Sequence, residues 1–321
     1  MPSPRAARPT RLPSRPWRRP SRSCRVTNGK KRFQAWIMGR PPRTHAMELN
    51  ALLEIPVALP SHPRAVALLM AELSRAEPSL RRLTQIFGTD PALAARLLEL
   101  ANGPEFEVPR AVCGVPEALA LVGIPQVRAL VGSAPPGTTS RSVPGVNLQQ
   151  FWRYSLHTAK MARSLAGVVR HNPMAGYTAG LLHGLGELLI HLGHPERLAS
   201  VDSVVGTFDP RRAVLEHRLL GYGFGAVSAA MARRWQLPQV VVDALQYQHA
   251  PFENSVYEPL AGVLHLAAWR AWAREAGWGD KELAVSFPAE VGLPLGLDID
   301  MVLQQDPIDW TAPVDAGAYL V

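Results

Sequence analysis

The amino-acid sequence predicts an all-α fold made of two helical lobes. Between residues 61 and 275, apolar side chains recur every three or four positions, the spacing that places them on one face of a helix. Proline stands at the start of several predicted helices, where its missing amide proton costs no hydrogen bond. No run alternates convincingly between apolar and polar residues with the period of two that is typical of a strand. These observations favour packed helices over any fold that contains a sheet.

The first lobe is predicted to span residues 47–132. Its first apolar repeat runs from Val66 to Leu73, directly after a Ser-His-Pro start at residues 61–63. Asp90 can cap the free amides of the next long helix, which is predicted to end at Asn102-Gly103. Shorter helices are predicted at residues 79–87, 116–121 and 125–131.

A linker rich in proline, glycine and serine separates the two lobes at residues 133–147. The second lobe is predicted to span residues 148–275, with helices at 148–169, 175–192, 225–235, 238–248 and 256–275. Trp269, Trp272 and Trp278 are expected to pack inside the protein. After Gly277 the sequence is interrupted by proline and glycine, so residues 276–321 are predicted to form a peripheral, weakly structured tail.

The first 46 residues differ in composition from the rest of the chain. They contain 13 Lys or Arg, eight Pro and no Asp or Glu, and are predicted to be a disordered basic segment. Three interpretations remain open. The segment is an arm that contacts nucleic acid through its basic residues and through Trp17 and Trp36, or a transit peptide, or it is not translated because translation begins near Met47.

The remaining residues hold 21 Lys or Arg and 26 Asp or Glu, so outside the basic segment nucleic acid is not an expected partner. Two cysteines, Cys24 and Cys113, give no disulfide framework and indicate a cytoplasmic protein. No apolar run approaches the roughly 20 residues that a membrane helix needs, so no membrane association is expected.

Four histidines lie on apolar predicted helices of the second lobe: His157, His183, His249 and His265. Each fits a hydrogen-bonded core histidine. Together they also fit a convergent set, and imidazole is the commonest metal ligand. The spacings of His183 with Glu187 and of His191 with His194 complete no zinc motif, and the HExxH order is absent.

The order of several segments resembles a known family. The first lobe contains LPSHPRAVALLMAEL, LTQIFGTDPALAARLLELAN and VPEALALVGIPQVRAL. The second contains FWRYSLHTAKMARSLA, AGLLHGLGELLI, LLGYGFGAVSAAMARRWQLPQVVVDALQYQHAP and LAGVLHLAAW. Over residues 50–275 the chain resembles the HDOD (HD-related output domain) family of bacterial signalling proteins. This resemblance implies an N-terminal helical bundle, an HD-like helical bundle, and kinship with the HD and HD-GYP metal-dependent phosphohydrolases.

The resemblance also implies where a metal site would lie. Four of its positions keep a histidine, namely His157, His183, His249 and His265. Four others have changed: Gly184 stands where the His-Asp pair has its aspartate, Phe224 where relatives often have a histidine, Gln248 where a double histidine begins, and Ala268 where a late aspartate is expected. Loss of both carboxylates removes the anionic ligands that a hydrolytic metal site needs. We therefore expect no catalytic residue, no bound metal and no cofactor at these vestigial positions.

Three hypotheses about function follow. The favoured one is a non-catalytic regulatory module in bacterial signal transduction that acts through contacts with a signalling protein. The second is a residual metal-dependent phosphohydrolase acting on a nucleotide or a cyclic dinucleotide through the four histidines. The third is a sensor whose vacated site binds a nucleotide or another small anion near Arg153.

Overall fold

The computed structural model describes residues 49–56, 58–106, 108–132 and 142–304. Within these ranges the regular structure is helical and no strand occurs, which confirms the all-α prediction. The basic segment at residues 1–46, most of the predicted linker and the last residues of the chain lie outside the described ranges. The predictions made for them therefore stay predictions.

The first group of helices occupies the N-terminal part of the described chain. It consists of α1 (Pro63–Leu73), α2 (Leu80–Thr89), α3 (Pro91–Ala101), α4 (Val115–Val122) and α5 (Ile124–Gly132). Asp90 organises two of these helices. Its Oδ1 accepts a hydrogen bond from Leu93 N (2.8 Å), and its Oδ2 accepts one from His62 N (2.5 Å), so one buried carboxyl group caps α3 and holds the start of α1.

The second group of helices is larger and contains the candidate site. It consists of α6 (Leu148–Val168), α7 (Pro173–Leu182), α8 (Leu185–Gly193), α9 (Pro195–Asp202), α10 (Arg212–Leu220), α11 (Phe224–Arg234), α12 (Gln239–Tyr247) and α13 (Pro259–Glu275). The long α6 packs along α7 and α13, and α11 packs against α8 and α12. The site is therefore enclosed by helices that are distant from one another in the sequence.

The predicted single helix over residues 175–192 is wrong, because the chain breaks it at His183 and Gly184 into α7 and α8. The two halves pack on different partners. A Cβ atom on Gly180 would lie 2.6 Å from Ala159 Cα of α6, whereas one on Gly186 would overlap Phe224 O of α11. Each half therefore approaches a different partner helix closely, and the helix is interrupted between them.

The two groups of helices share one continuous hydrophobic core. Helix α7 joins them. Thr178 donates a hydrogen bond from Oγ1 to Cys113 O (2.5 Å), and Tyr177 donates one from its hydroxyl to Gly88 O (2.8 Å). The core therefore does not divide at the predicted linker.

Residues 280–304 differ from the weakly structured tail that the sequence predicts. They form α14 (Asp280–Ser286), α15 (Ala289–Gly292), a 3₁₀ turn (Leu293–Leu295) and α16 (Ile299–Gln304). Val291, Leu297 and Val302 are buried, and α15 packs against α13. Each short helix buries only one or two apolar residues, so no periodic pattern is long enough to be recognised in the sequence.

No single helix of the described chain has both the length and the hydrophobicity of a membrane span. Helices α4 and α5 satisfy these criteria only as a pair, and that pair is bent by 104°. Three of their apolar residues, Leu119, Val122 and Val127, are packed inside the protein.

Candidate functional site

A cavity with a volume of about 300 Å³ lies between α6, α8, α11, α12 and α13. The loop between α9 and α10 and the segment after α13 also contribute to its wall. Seven of the 17 lining residues are Tyr, Phe, Trp or Pro, namely Tyr154, Phe208, Pro210, Phe224, Trp269, Trp278 and Pro288. The size and lining of the cavity are typical of small-molecule binding sites.

Seven of the eight vestigial positions line this cavity: His183, Gly184, Phe224, Gln248, His249, His265 and Ala268. The exception is His157, which is buried on α6 outside the cavity lining. Burial lowers the pKa of His157 to about 4. The structure therefore brings three of the four histidines to one cavity.

His183 stands at the break between α7 and α8. Its Nδ1 donates a hydrogen bond to Gly180 O (2.7 Å), and its ring meets the edge of Tyr154 at a centroid distance of 5.0 Å. Burial lowers the pKa of His183 to about 4, so the imidazole is neutral at physiological pH.

His249 and His265 reach the cavity from the end of α12 and from α13. His265 Nδ1 donates a hydrogen bond to Gln248 O (2.8 Å), while the His249 ring packs edge-on against Phe224 at 4.7 Å. Burial, with smaller contributions from His265 and His183, lowers the pKa of His249 to about 3. Burial also lowers the pKa of His265. All three imidazoles of the cavity are thus neutral.

The vestigial positions do not fit a catalytic metal. A Cβ atom on Gly184 would lie 3.1 Å from Cε2 of Phe151, so a core ring stands against the place where a side chain at 184 would begin. Ala268 and Phe224 offer no donor side-chain atom. Within the described residues, no three His, Cys, Asp or Glu side chains are placed to hold a metal ion.

Two carboxylates do line the cavity, and both have ionic partners. Glu187 lies beside Arg212, with 2.5 Å between Oε1 and Nε. Asp209 pairs with Arg211, with 2.6 Å between Oδ2 and Nη2, and this arginine lowers the pKa of the Asp209 carboxyl. Neither of them stands at position 184 or 268, where the family resemblance places the carboxylates of a metal site.

Glu187 belongs to a buried ionic cluster that sequence reasoning missed. Arg212 is fully buried and also pairs with Glu216 (2.9 Å) and Asp202 (2.8 Å). Burial raises the pKa of Glu187 well above its usual value, and the neighbouring Glu216 adds to this shift. His191 lies 3.2 Å from Glu187. The (i, i+4) spacings of Glu187 with His191 and of Arg212 with Glu216 were the available signal.

Arg153, which the sequence placed near a vacated anion site, is not in the cavity lining. It forms an ion pair with Glu275, whose Oε1 and Oε2 lie 2.7 and 2.5 Å from its Nε and Nη2. Among the residues that line the cavity there is no Lys or Arg.

Comparisons with known proteins agree with this architecture. A family model described as the HDOD domain matches residues 59–251. An uncharacterized protein of Treponema pallidum (strain Nichols) is 25% identical over 212 residues, which are 65% of this chain and 41% of that protein, so the match spans about two fifths of the relative's length.

Two crystal structures of the MmoQ response regulator from Methylococcus capsulatus str. Bath resemble the chain. One is 24% identical with a TM-score of 0.64 and covers 79% of this chain and 100% of the other. The second, of a fragment, is 25% identical with a TM-score of 0.62 and covers 76% of this chain and 94% of the other.

Proposed function

The chain belongs to the HDOD domain family, and from this we propose that it is a non-catalytic regulatory module of bacterial signal transduction. It acts in the cytoplasm by changing its contacts with a signalling protein. The similarity to the MmoQ response regulator, at 25% identity and a TM-score of 0.62, supports a regulatory role. The buried free thiol of Cys113 is compatible with a reducing compartment.

One observation carries the non-catalytic assignment, namely the contact between Gly184 and Phe151. An aspartate at position 184 would require the Phe151 ring to move, and this ring is packed in the core with 1% of its surface exposed. The packing around position 184 therefore leaves little room for an aspartate side chain, which supports a non-catalytic site.

The donor set of the cavity points the same way. A hydrolytic metal site activates water through cations that anionic ligands hold in place. The cavity offers imidazoles, aromatic rings and an amide, while Glu187 and Asp209 are paired with arginines. This donor set does not match the oxygen ligands that magnesium and manganese prefer.

A hydrolysis assay tests the proposal directly. The full chain is incubated with Mn²⁺ or Fe²⁺ and with cyclic dinucleotides, nucleoside triphosphates or a generic phosphodiester. We expect no turnover above the rate without protein, and no difference between the wild type and His183→Ala. Metal-dependent turnover that His183→Ala abolishes would overturn the proposal in favour of a residual phosphohydrolase.

A further inference from the structure

The cavity retains buried polar atoms that have no partner within the described chain. Apart from the Glu187 oxygens, which lie beside Arg212, they are Oε1 of Gln248 and Nε2 of His249, and both residues line the cavity. Leaving a buried polar group without a hydrogen bond costs about 1–3 kcal/mol, so such groups are expected to have a partner in the functional state. Gln248 is 2% exposed.

The orientation of Gln248 is fixed by the backbone around it. Its Nε2 donates hydrogen bonds to Leu245 O (3.0 Å) and to His183 O (3.4 Å). Of the two terminal atoms of a glutamine side chain, only the amide nitrogen can donate to a carbonyl oxygen, so these bonds fix which of them is Nε2. Oε1 is therefore the atom left over, and it is an acceptor. The cavity thus presents at least one hydrogen-bond acceptor whose position the fold determines.

Two imidazoles add acceptors of the same kind. Nδ1 of His183 donates to Gly180 O, and Nδ1 of His265 donates to Gln248 O. A neutral imidazole carries one N–H, so in both rings Nε2 has the free lone pair. Beside Oε1 of Gln248, these two residues therefore offer further acceptors, which match a ligand that donates hydrogen bonds.

The charge of the lining excludes an anion as the preferred ligand. No Lys or Arg lines the cavity, and Asp209 adds a carboxylate. A phosphate or carboxylate group would lose its hydration without meeting a positive charge, which is costly in an apolar site. A nucleotide fits this lining poorly, even though the resemblance made it an obvious candidate.

The aromatic wall determines the shape and polarity of the occupant. Tyr154, Phe208, Phe224 and Trp269 all border the space, and flat rings pack against such surfaces in offset or edge-to-face arrangements. With a volume of about 300 Å³, the cavity can hold a molecule of one or two fused rings.

We propose that this cavity binds an uncharged, flat aromatic molecule that donates hydrogen bonds through ring N–H or hydroxyl groups. This inference rests on the proposed function, in that the cavity is a sensing site and not a catalytic one. The ligand joins α12 and α13 to the 207–210 loop and to the segment that carries Trp278 and Ser286. Binding therefore links parts of the chain that are far apart in sequence, as a regulatory ligand must.

Three probes of similar ring size separate the contributions of ring shape, hydrogen-bond donation and charge to binding. Indole is uncharged and has one N–H donor, naphthalene has the shape without the donor, and indole-3-carboxylate adds a negative charge. By isothermal titration calorimetry with the full chain we expect indole to bind with a dissociation constant of about 1 mM or lower. Naphthalene should bind about fivefold more weakly, and indole-3-carboxylate should show no saturable binding.

Two variants and one control locate the binding site. Ala268→Phe fills the cavity and should abolish indole binding, whereas Ala120→Phe, at an exposed position of α4, should leave it unchanged. Gln248→Leu removes the oriented acceptor and should weaken indole about fivefold without weakening naphthalene. Retained naphthalene binding would show that this variant still forms the cavity.

The proposal is overturned if indole fails to saturate at millimolar concentration, if indole-3-carboxylate binds as well as indole, or if Ala268→Phe binds indole normally. These outcomes leave the non-catalytic assignment standing, because that assignment depends on the hydrolysis assay. Metal-dependent hydrolysis would instead remove the proposed function itself.

Discussion

Gly184 lies against the ring of Phe151, with 3.1 Å between the position of a Cβ atom on the glycine and Cε2 of the phenylalanine. Real Cβ contacts of this length are rare, so any side chain at position 184 requires the ring to yield. This single contact links the glycine at position 184, where the family resemblance places an aspartate, to the way the core is packed. It makes the state of the vestigial site testable by stability measurements alone.

Restoring the aspartate should destabilise the protein. We expect Gly184→Asp to lower the free energy of unfolding by roughly 1–3 kcal/mol, because Phe151 must shift and a carboxylate enters an apolar site. Urea unfolding followed by circular dichroism measures this change. Gly206→Asp is a matched control, since nothing lies within 4 Å of a Cβ atom at that position, and it should change stability by less than about 0.5 kcal/mol.

A double-mutant cycle should identify the cause of that loss. Phe151→Leu shortens the side chain, so the cost of Gly184→Asp should be smaller in this background than in the wild type. Additive losses in the cycle would mean that Phe151 is not what excludes a side chain at 184.

Removing the central cation of the buried cluster should be strongly destabilising. Arg212→Met leaves Glu187 and Glu216 buried without it, and we expect a loss of about 3–5 kcal/mol in urea unfolding. Adding Glu187→Gln should recover part of the loss. Arg211→Met, at the adjacent position, is the control. The Arg211 side chain is 75% exposed, so this substitution should have no measurable effect on the free energy of unfolding. Similar losses in both single variants would contradict a special role for the cluster.

The buried imidazole of His183 should make stability depend on pH. Its pKa is about 4 in the folded protein against 6.5 ordinarily, so between these values the unfolded chain binds more protons. Its contribution is fully present above pH 6.5 and is lost as the pH falls towards 4. At pH 5 the loss is roughly 2 kcal/mol.

The measurement compares urea midpoints of the wild type and His183→Gln between pH 7 and pH 5. Other groups, such as Asp90 and Glu187, titrate in both proteins, so the difference isolates His183. We expect the wild type to lose more stability than the variant over this range. His217→Gln, at an exposed position of α10, should keep the wild-type slope. If the urea midpoints of the wild type and of His183→Gln changed equally with pH, this histidine would not be kept neutral by burial.

The segment after α13 should contribute to stability as part of the core. Leu297 is 1% exposed, and Leu297→Ala should cost about 2–5 kcal/mol because it leaves a cavity. Leu293 is 65% exposed in the same segment, and Leu293→Ala should cost less than about 0.5 kcal/mol. Thermal unfolding of both variants checks the expectation. If both variants lost little stability and to the same extent, the segment after α13 would be a weakly structured tail, as the sequence predicts.

The sequence predicted the helices best where a local signal marks their ends. The Asp90-Pro91 start of α3 is an example, because the aspartate caps the helix within a few residues of its own position. The break between α7 and α8 gave no comparable signal, since the apolar pattern continues through it. The break lies between Gly180, which approaches α6 closely, and Gly186, which approaches α11, and both partner helices are distant in the chain.

In the candidate site too, some features follow from the sequence and others only from the packing of distant segments. The positions of the vestigial ligands follow from the order of motifs, and His183, His249 and His265 do line one cavity. His157 does not, because its place on α6 lies outside the cavity wall. The ionic cluster around Arg212 was missed because its partners come from α8, α9 and α10, and only their packing shows that all of them are buried together.

By itself the sequence determined the helical class, the capped helix starts, the family and the absence of carboxylates at positions 184 and 268. These features depend on residue identity and on spacing within a few turns of the chain. Only the tertiary structure decided that Phe151 stands against Gly184, that the imidazoles are neutral and that the cavity carries acceptors without a positive charge. Those properties arise from burial and from contacts between distant segments, because desolvation and close packing act only once the chain has folded.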